Sequence, residues 1–294
     1  MRILITGATG YIGSRLCYLL SQNPENEIVS LQRTNTKYLE NAKIINWNLC
    51  EPIDETVLPE VDIIIHLALA QNFKLFPDSV KDLYEVNVRS TIELLEFARK
   101  VGVSHFFLAS TGNSYAPDEG LKIGEMPQPP NDFYTSSKLA AEALCRPYRS
   151  CFSVNVSRFF FPYGPNQDDK TVQRLIARVR ERAPISLGKG LDGNGDLLSL
   201  IYIDDLVDVI KQSIEGGWNG LFDIAASEVI SVRQISNEIG RQLGVDVIFE
   251  EANFPSKKMV ADLSFLNEKN KTSLRCFSEG LLALLEAEKL INGA

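Results

Sequence analysis

The 294 residues are 45% hydrophobic and 23% charged, a composition that suits an ordinary globular chain and excludes a disordered, collagen-like or membrane-embedded one. Thirty basic against 38 acidic residues leave a net charge of −8, which argues against a nucleic-acid backbone or an anionic membrane as main partner. No apolar run approaches the roughly 18 residues of a membrane span, and the first apolar segment, Ile3 to Ile5, breaks into glycines too early for a secretory signal, so a cytoplasmic location is expected.

In chain order, short β-rich runs at Arg2–Thr6, Glu27–Gln32, Ile44–Trp47, Asp62–Leu67, His105–Ala109 and Ser153–Phe159 alternate with helical patterns. The clearest helices are expected over Ile12–Leu20, Val80–Val101 and Tyr134–Cys145. Asp132, after Pro129-Pro130, is a credible N-cap for the last of these, and Pro147 should stop it near Cys145 because proline lacks a donor and clashes with the preceding turn. Six strands alternating with helices predict a Rossmann-type, doubly wound α/β fold with a parallel sheet. Beyond Pro165 the rhythm loosens: a helix is expected over Thr171–Ala183, then glycine-rich Gly188–Gly195, then a strand over Leu200–Ile203 that runs into a helix near Asp204. The expected organisation is a dinucleotide-binding domain over 1–165, with 200–226 returning to it, and a smaller α/β substrate lobe over 166–294.

Five cysteines (Cys17, Cys50, Cys145, Cys151, Cys276) form no Cys-x-x-Cys pair, and His66 and His105 are the only histidines. Reduced, packed thiols and no metal site are expected.

Thr6-Gly7-Ala8-Thr9-Gly10-Tyr11-Ile12-Gly13 follows the first strand directly and opens the first helix. Glycines there permit a tight turn, let the backbone approach a pyrophosphate and let helix pack on strand, while the N–H groups of the helix start face the anion. At the end of the second strand, where an NAD site carries an acid on the adenosine ribose, stand Gln32 and Arg33. A neutral residue and a guanidinium suit a ribose 2′-phosphate, so NADP is the expected cofactor, with NAD possible. Tyr134 and Lys138, four apart, share a helix face. A phenol of ordinary pKa about 10 must fall some three units, or ~4 kcal/mol, to exchange a proton readily at neutral pH, and a nearby ammonium and the positive oxidised nicotinamide both act in that direction.

The glycine spacing resembles that of the extended short-chain dehydrogenase/reductase family, the nucleotide-sugar-modifying NAD-dependent epimerases and dehydratases. Further runs in the same order carry the resemblance over roughly residues 1 to 230: Asn48-Leu49, Asp62-Ile-Ile-Ile-His66-Leu67-Ala68, Asn87-Val88, Ser110-Thr111, Tyr134-x-x-x-Lys138, Tyr163-Gly164-Pro165 and Tyr202-Ile203-Asp204-Asp205. The resemblance implies Thr111, Tyr134 and Lys138 as catalytic residues. Thr111 would hold the substrate oxygen while Ser110 points elsewhere. It also implies cofactor contacts from Gly7, Thr9, Gly10, Tyr11, Ile12, Gly13, Gln32, Arg33, Asn48, Leu49, Leu67, Ala68, Asn87, Tyr134 and Lys138. The implied reaction interconverts an alcohol and a ketone by proton and hydride transfer.

Related dehydratases place Asp-Glu after the catalytic threonine, and related decarboxylases use a glutamate in this segment; Gly112-Asn113 stands there instead, which disfavours both activities. Two expected diphosphate contacts are also replaced, by Phe161 and by Leu198-Ser199. Arg174, Arg178, Arg180 and Lys189 either substitute for them or form a solvated helix face, and the Leu197–Ile203 run either packs as a buried strand or lines a less polar pocket. The expected partner is a small molecule, a nucleotide sugar, with no nucleic acid or membrane; a homodimer is left open. Three functions remain: a nucleotide-sugar epimerase or 4-keto reductase, a reductase of a non-nucleotide carbonyl compound, and a non-catalytic NADP-binding regulator.

Overall fold

The structure, a computed structural model, describes residues 1–33, 42–71, 73, 75–114, 132–168 and 170–292. These fall into two compact units, one holding Met1–Ser114, residues 132–158 and Val207–Phe222, the other holding Phe159–Leu206 and residues 223–292.

The first unit opens with β1 (Arg2–Thr6), α1 (Tyr11–Ser21), β2 (Glu27–Gln32), β3 (Ala42–Asn46) and β4 (Ile63–His66). It continues with α2 (Val80–Leu83), α3 (Ser90–Val101), β5 (His105–Thr111), α4 (Phe133–Cys145) and β6 (Ser153–Phe159). The strands lie in a seven-stranded sheet in the order β3-β2-β1-β4-β5-β6, with Gly220–Ile224 beyond β6 at the edge. The pairings β3-β2, β2-β1, β1-β4 and β4-β5 are all parallel. The chain winds outward from β1 in one direction and from β4 in the other. The carboxyl ends of β1 and β4 therefore flank the crevice where such sheets bind ligands.

Because helices cover both faces, the central strands are apolar without alternation: Ile3, Leu4, Ile5, Ile64, Ile65, Phe106 and Phe107 are fully buried. Each such side chain stabilises the fold by about 1.5–3 kcal/mol relative to exposure. α1 turns Gly13, Leu16, Cys17 and Leu20 inward at helical spacing, and α3 ends on Gly102, whose left-handed φ of 75° suits a residue without Cβ. Asp132 caps α4 by accepting from Thr135 N–H at 2.8 Å, as expected; Pro129 and Pro130 lie outside the described residues. α4 stops at Cys145, and Arg146–Ser150 continue as a 3₁₀ turn around Pro147.

The expected continuous helix over Val80–Val101 is corrected: between α2 and α3, Tyr84–Arg89 form a π-helical stretch. A π turn inserts one residue per turn and rotates the face that follows, a change invisible to hydrophobic periodicity. The seventh strand of the sheet was also not among the six expected.

The second unit contains β7 (Pro162–Tyr163), α5 (Thr171–Arg180), β8 (Ile185–Lys189), β9 (Leu197–Ser199), β10 (Ile201–Tyr202) and the start of α6 (Ile203–Glu215). After the edge strand β11 (Gly220–Ile224) come β12 (Val229–Ser231), α7 (Val232–Leu243), β13 (Phe249–Pro255), β14 (Lys258–Met259), α8 (Ser264–Lys269) and α9 (Phe277–Asn292). α5 thus ends three residues before the expected Ala183, and Leu200 separates two short strands instead of opening one. β7 pairs with β10 so that Tyr163 lies beside Tyr202, their rings 5.7 Å apart and edge-on. Gly280 is required beside them, since a Cβ there would sit 2.1 Å from the Tyr163 hydroxyl. The Asp205 carboxylate accepts from Arg275 N–H at 2.7 Å and pairs with its guanidinium. Among the described residues no helix is long and apolar enough to cross a membrane.

Candidate active site

The glycine loop between β1 and α1 is built around close approaches. Gly7 has φ 71°, and a Cβ there would lie 2.8 Å from Ala68 N; a Cβ on Gly13 would lie 2.1 Å from Gly7 O. Gly10 is the extended N-cap of α1 and has no side-chain cap, and the first turn carries no acid. The helix start therefore offers backbone donors and positive dipole to an anion. Thr9, Tyr11 and Ile12, between the glycines, are half-buried.

At the switch point, Thr6 Oγ1 lies 2.6 Å from His66 Nδ1 and accepts from Ala68 N–H at 3.2 Å. Ser90 donates to Val86 O at 2.6 Å, which leaves its oxygen to face His66 Nε2 at 3.4 Å. These bonds run in one direction, from Ala68 N–H through the Thr6 hydroxyl to Nδ1, and from Nε2–H through Ser90 to Val86, so the neutral Nε2–H tautomer satisfies every group. Burial, with Lys138 nearby, pushes the His66 pKa down to about 3. Ala68 is thereby fixed against Gly7, with Leu67 half-buried next to it.

Gln32 is buried at the end of β2, and among the described residues its Nε2 has no partner, a donor suited to a ligand oxygen. Arg33 follows it and is exposed. Asn48 Oδ1 accepts from Cys50 N–H at 3.1 Å, and Leu49 is buried with its carbonyl held by Arg89 at 2.8 Å. Arg89 also pairs with Glu93 at 2.6 Å and with Glu85, which ties this segment to the π turn that carries Asn87. Asn87 donates to Ser137 Oγ at 2.9 Å, while its buried Oδ1 has no partner among the described residues. A glycine cradle, an uncapped helix start and two orphaned amide atoms are features a dinucleotide fits.

Tyr134 and Lys138 occupy the first turns of α4, facing the end of β5. The Thr111 hydroxyl bonds the Tyr134 phenol and accepts from Asn113 N–H at 3.2 Å. Lys138 Nζ, fully buried, donates to the Ala109 carbonyl at 2.7 Å. Burial brings its pKa down to about 8, against the opposing charge of Glu142. In the chain by itself the Tyr134 pKa is raised. Burial pushes it above its ordinary value, Asp132 adds to this, and the Thr111 bond only partly opposes it. The Lys138 ammonium donates to a backbone carbonyl, and the fall expected with oxidised nicotinamide bound concerns the loaded site.

Sequence reading missed three neighbours. Phe73 packs on the Tyr134 ring, centroids 4.9 Å apart. Ser137 holds Asn87. Glu142, one turn beyond Lys138, accepts from the Ser110 hydroxyl at 2.5 Å and from Arg158 at 3.0 and 2.7 Å, all in a buried setting. The spacing Tyr134, Lys138, Glu142 is readable as one helix stripe; the partner on β6 is not.

In the second unit the two departures have structural roles. Phe161, half-buried, takes a left-handed φ of 38° and packs with Phe160, Ala225, Ala261 and Leu263. Leu198, Leu200 and Ile201 are buried, and Ser199 Oγ accepts from Ala261 N–H at 3.2 Å, so the Leu197–Ile203 run packs as core. On the exposed face of α5, Arg178 donates to Pro184 O at 2.8 Å and Arg180 pairs with Glu288 at 2.8 Å.

Comparison with known proteins agrees with this geometry. The sequence pattern of the NAD dependent epimerase/dehydratase family matches residues 3–224. The chain is 30% identical over 226 residues to a protein of Bacillus subtilis (strain 168) described as the uncharacterized UDP-glucose epimerase YtcB, covering 70% of each. It is 28% identical over 258 residues to the dTDP-D-glucose 4,6-dehydratase of Mus musculus, covering 81% of this chain and 72% of that one. Its fold is similar to that of the UDP-glucuronic acid 4-epimerase of Bacillus cereus, solved with UDP-glucuronic acid and NAD, at a TM-score of 0.84 and 23% identity over 99% of this chain and 100% of that one. The chain belongs to the NAD dependent epimerase/dehydratase family.

Proposed function

We propose that this chain is an NAD(P)-dependent enzyme that interconverts an alcohol and a ketone on a nucleotide sugar, by reduction of a 4-keto group or by epimerisation. The observation that carries the reading is the arrangement of Thr111, Tyr134 and Lys138: a phenol bonded to a hydroxyl, with a buried lysine one turn along the same helix face. A nicotinamide supplies the hydride when bound. Gly7, Gly10 and Gly13 would hold its pyrophosphate, Gln32 and Arg33 its adenosine end, and Lys138 its second ribose.

Thr111 positions the substrate oxygen and Tyr134 moves the proton at that oxygen. The phenol is protonated at neutral pH, and burial raises its pKa further, so Tyr134 is available as the proton donor when a ketone is reduced. Gly112 and Asn113 offer no carboxylate beside Thr111, and this supports reduction or epimerisation over elimination of water or loss of CO₂, although relatives include a dehydratase. Arg33, with a neutral Gln32 before it, favours NADP(H) as cofactor, whereas the Bacillus cereus epimerase was solved with NAD.

The test is a screen of UDP- and dTDP-linked sugars against the cofactor-loaded protein, read as a rise in melting temperature and followed by product analysis. A rise with at least one nucleotide sugar is expected. If none acts at millimolar concentration, a reductase of a small carbonyl compound becomes the better reading, which the burial of Leu198 where a diphosphate contact is expected already favours.

A further inference from the structure

Three charged side chains meet beneath the reacting groups, and the reaction as described uses only one of them. Glu142 lies one turn along α4 from Lys138, in the stripe that begins with Tyr134. Its Oε1 accepts from Ser110 Oγ at 2.5 Å and from Arg158 Nε at 3.0 Å, and its Oε2 accepts from Arg158 Nη2 at 2.7 Å. Both side chains are more than nine-tenths buried, 7% exposed for Arg158 and 9% for Glu142. A fork-to-fork carboxylate pair in such a setting is held in one geometry. Its hydroxyl bond to Ser110 grips the strand end between Ala109, whose carbonyl takes the Lys138 ammonium, and Thr111, whose hydroxyl takes the Tyr134 phenol.

We propose that Glu142 and Arg158 are positioning residues for Lys138: the carboxylate fixes the end of β5 and supplies the negative charge that holds the buried ammonium, and the guanidinium sets how much of that charge Lys138 feels. This rests on the reading of Tyr134 and Lys138 as the reacting pair. A buried lysine loses its proton readily because burial penalises its charged form. Lys138 is so placed, and the Glu142 carboxylate opposes the loss. The other titratable groups facing Lys138 are the Cys145 thiol on its own helix and His66 on β4, which stays neutral. Neither supplies a fixed charge at neutral pH, which leaves Glu142, held by Arg158, as the charge acting on Lys138.

The experiment labels the lysines of the full chain with ¹³C and follows the Lys138 ε-methylene resonance against pH, assigned by its loss in Lys138→Arg. Glu142→Gln should lower the Lys138 pKa by about one unit or more, since it leaves an unopposed guanidinium nearby, and Arg158→Gln should raise it. Glu142→Gln/Arg158→Gln removes both charges, avoids a lone buried ion and should fall between Glu142→Gln and the native chain. A purely structural pair would lower the melting temperature and leave the titration where it was. Either single variant, once folded, decides the matter: a shift in the predicted direction supports the proposal, and a Lys138 titration that coincides with the native one overturns it. If neither single variant folds, the double variant decides: a Lys138 pKa below the native one supports the proposal, and one at or above it overturns it. The titration needs no substrate, so its outcome is independent of whether Tyr134 is correctly assigned.

Discussion

Thr6 and His66 join the ends of β1 and β4 across the switch point of the sheet, with Oγ1 and Nδ1 2.6 Å apart. The bond makes a neutral, fully buried imidazole part of the wall that sets Ala68 against Gly7.

That neutrality has a measurable cost in acid. Burial lowers the pKa of His66 to about 3 and of His105 to about 4, whereas both titrate near 6.5 when unfolded. Between those limits the unfolded chain binds more protons, so stability is greatest above pH ~6.5 and is lost as the pH falls, by up to about 2.7 kcal/mol per pH unit for the two together. Urea unfolding from pH 7.5 to 4.5 should show this slope, and His105→Leu should roughly halve it. A stability that is flat over this range would contradict the assignment.

Gly13→Ala should be damaging in a specific way. Its Cβ would meet Gly7 O at 2.1 Å, so the loop or α1 must shift. A loss of about 1–3 kcal/mol of stability is expected, together with weakened dinucleotide binding, read by thermal melting and calorimetric titration. Gly102→Ala is the contrast: nothing lies within 4 Å of its added Cβ, so only the strain of φ +75° is paid, and dinucleotide affinity should stay native.

The parts of the molecule legible in the sequence are those written locally. β1, the glycine loop and α1 could be read because the apolar run, the three glycines and the helical stripe are contiguous. The same holds for the Asp132 cap. The π turn at Tyr84–Arg89 was hidden, because its one-residue offset leaves the apolar pattern of α2 and α3 intact on either side. Leu197–Ile203 could be settled only by its neighbours β12 and β14, which bury Leu198 from both sides. The partner of Lys138 was hidden for a related reason. The spacing places Lys138 on the same helix face, but the Ala109 carbonyl that captures its ammonium comes from another strand.

In the proposed reading cofactor choice turns on Arg33, which is exposed after β2. If it meets a ribose 2′-phosphate, Arg33→Ala should weaken NADP(H) by about tenfold or more and leave NAD(H) unchanged. Calorimetric titration of both cofactors into both proteins decides this. Equal affinities in the native chain, or a preference for NAD(H), would contradict it.

Lys138→Met should impair both cofactor binding and turnover, because in the proposed reading this ammonium would hold the second ribose and its charge would favour the ionised phenol. A variant that binds dinucleotide at native affinity would remove Lys138 from the cofactor site.

The central claim is that Tyr134 carries the proton at the substrate oxygen. Its most direct test is Tyr134→Phe, with nicotinamide oxidation followed on a nucleotide sugar that raises the melting temperature, and cofactor affinity measured in parallel. The substitution deletes one hydroxyl and keeps the ring that packs on Phe73. A fall in turnover of about 10²–10⁴-fold with cofactor affinity nearly unchanged is the expected result; a variant that keeps most of its turnover would show that another group is the acid.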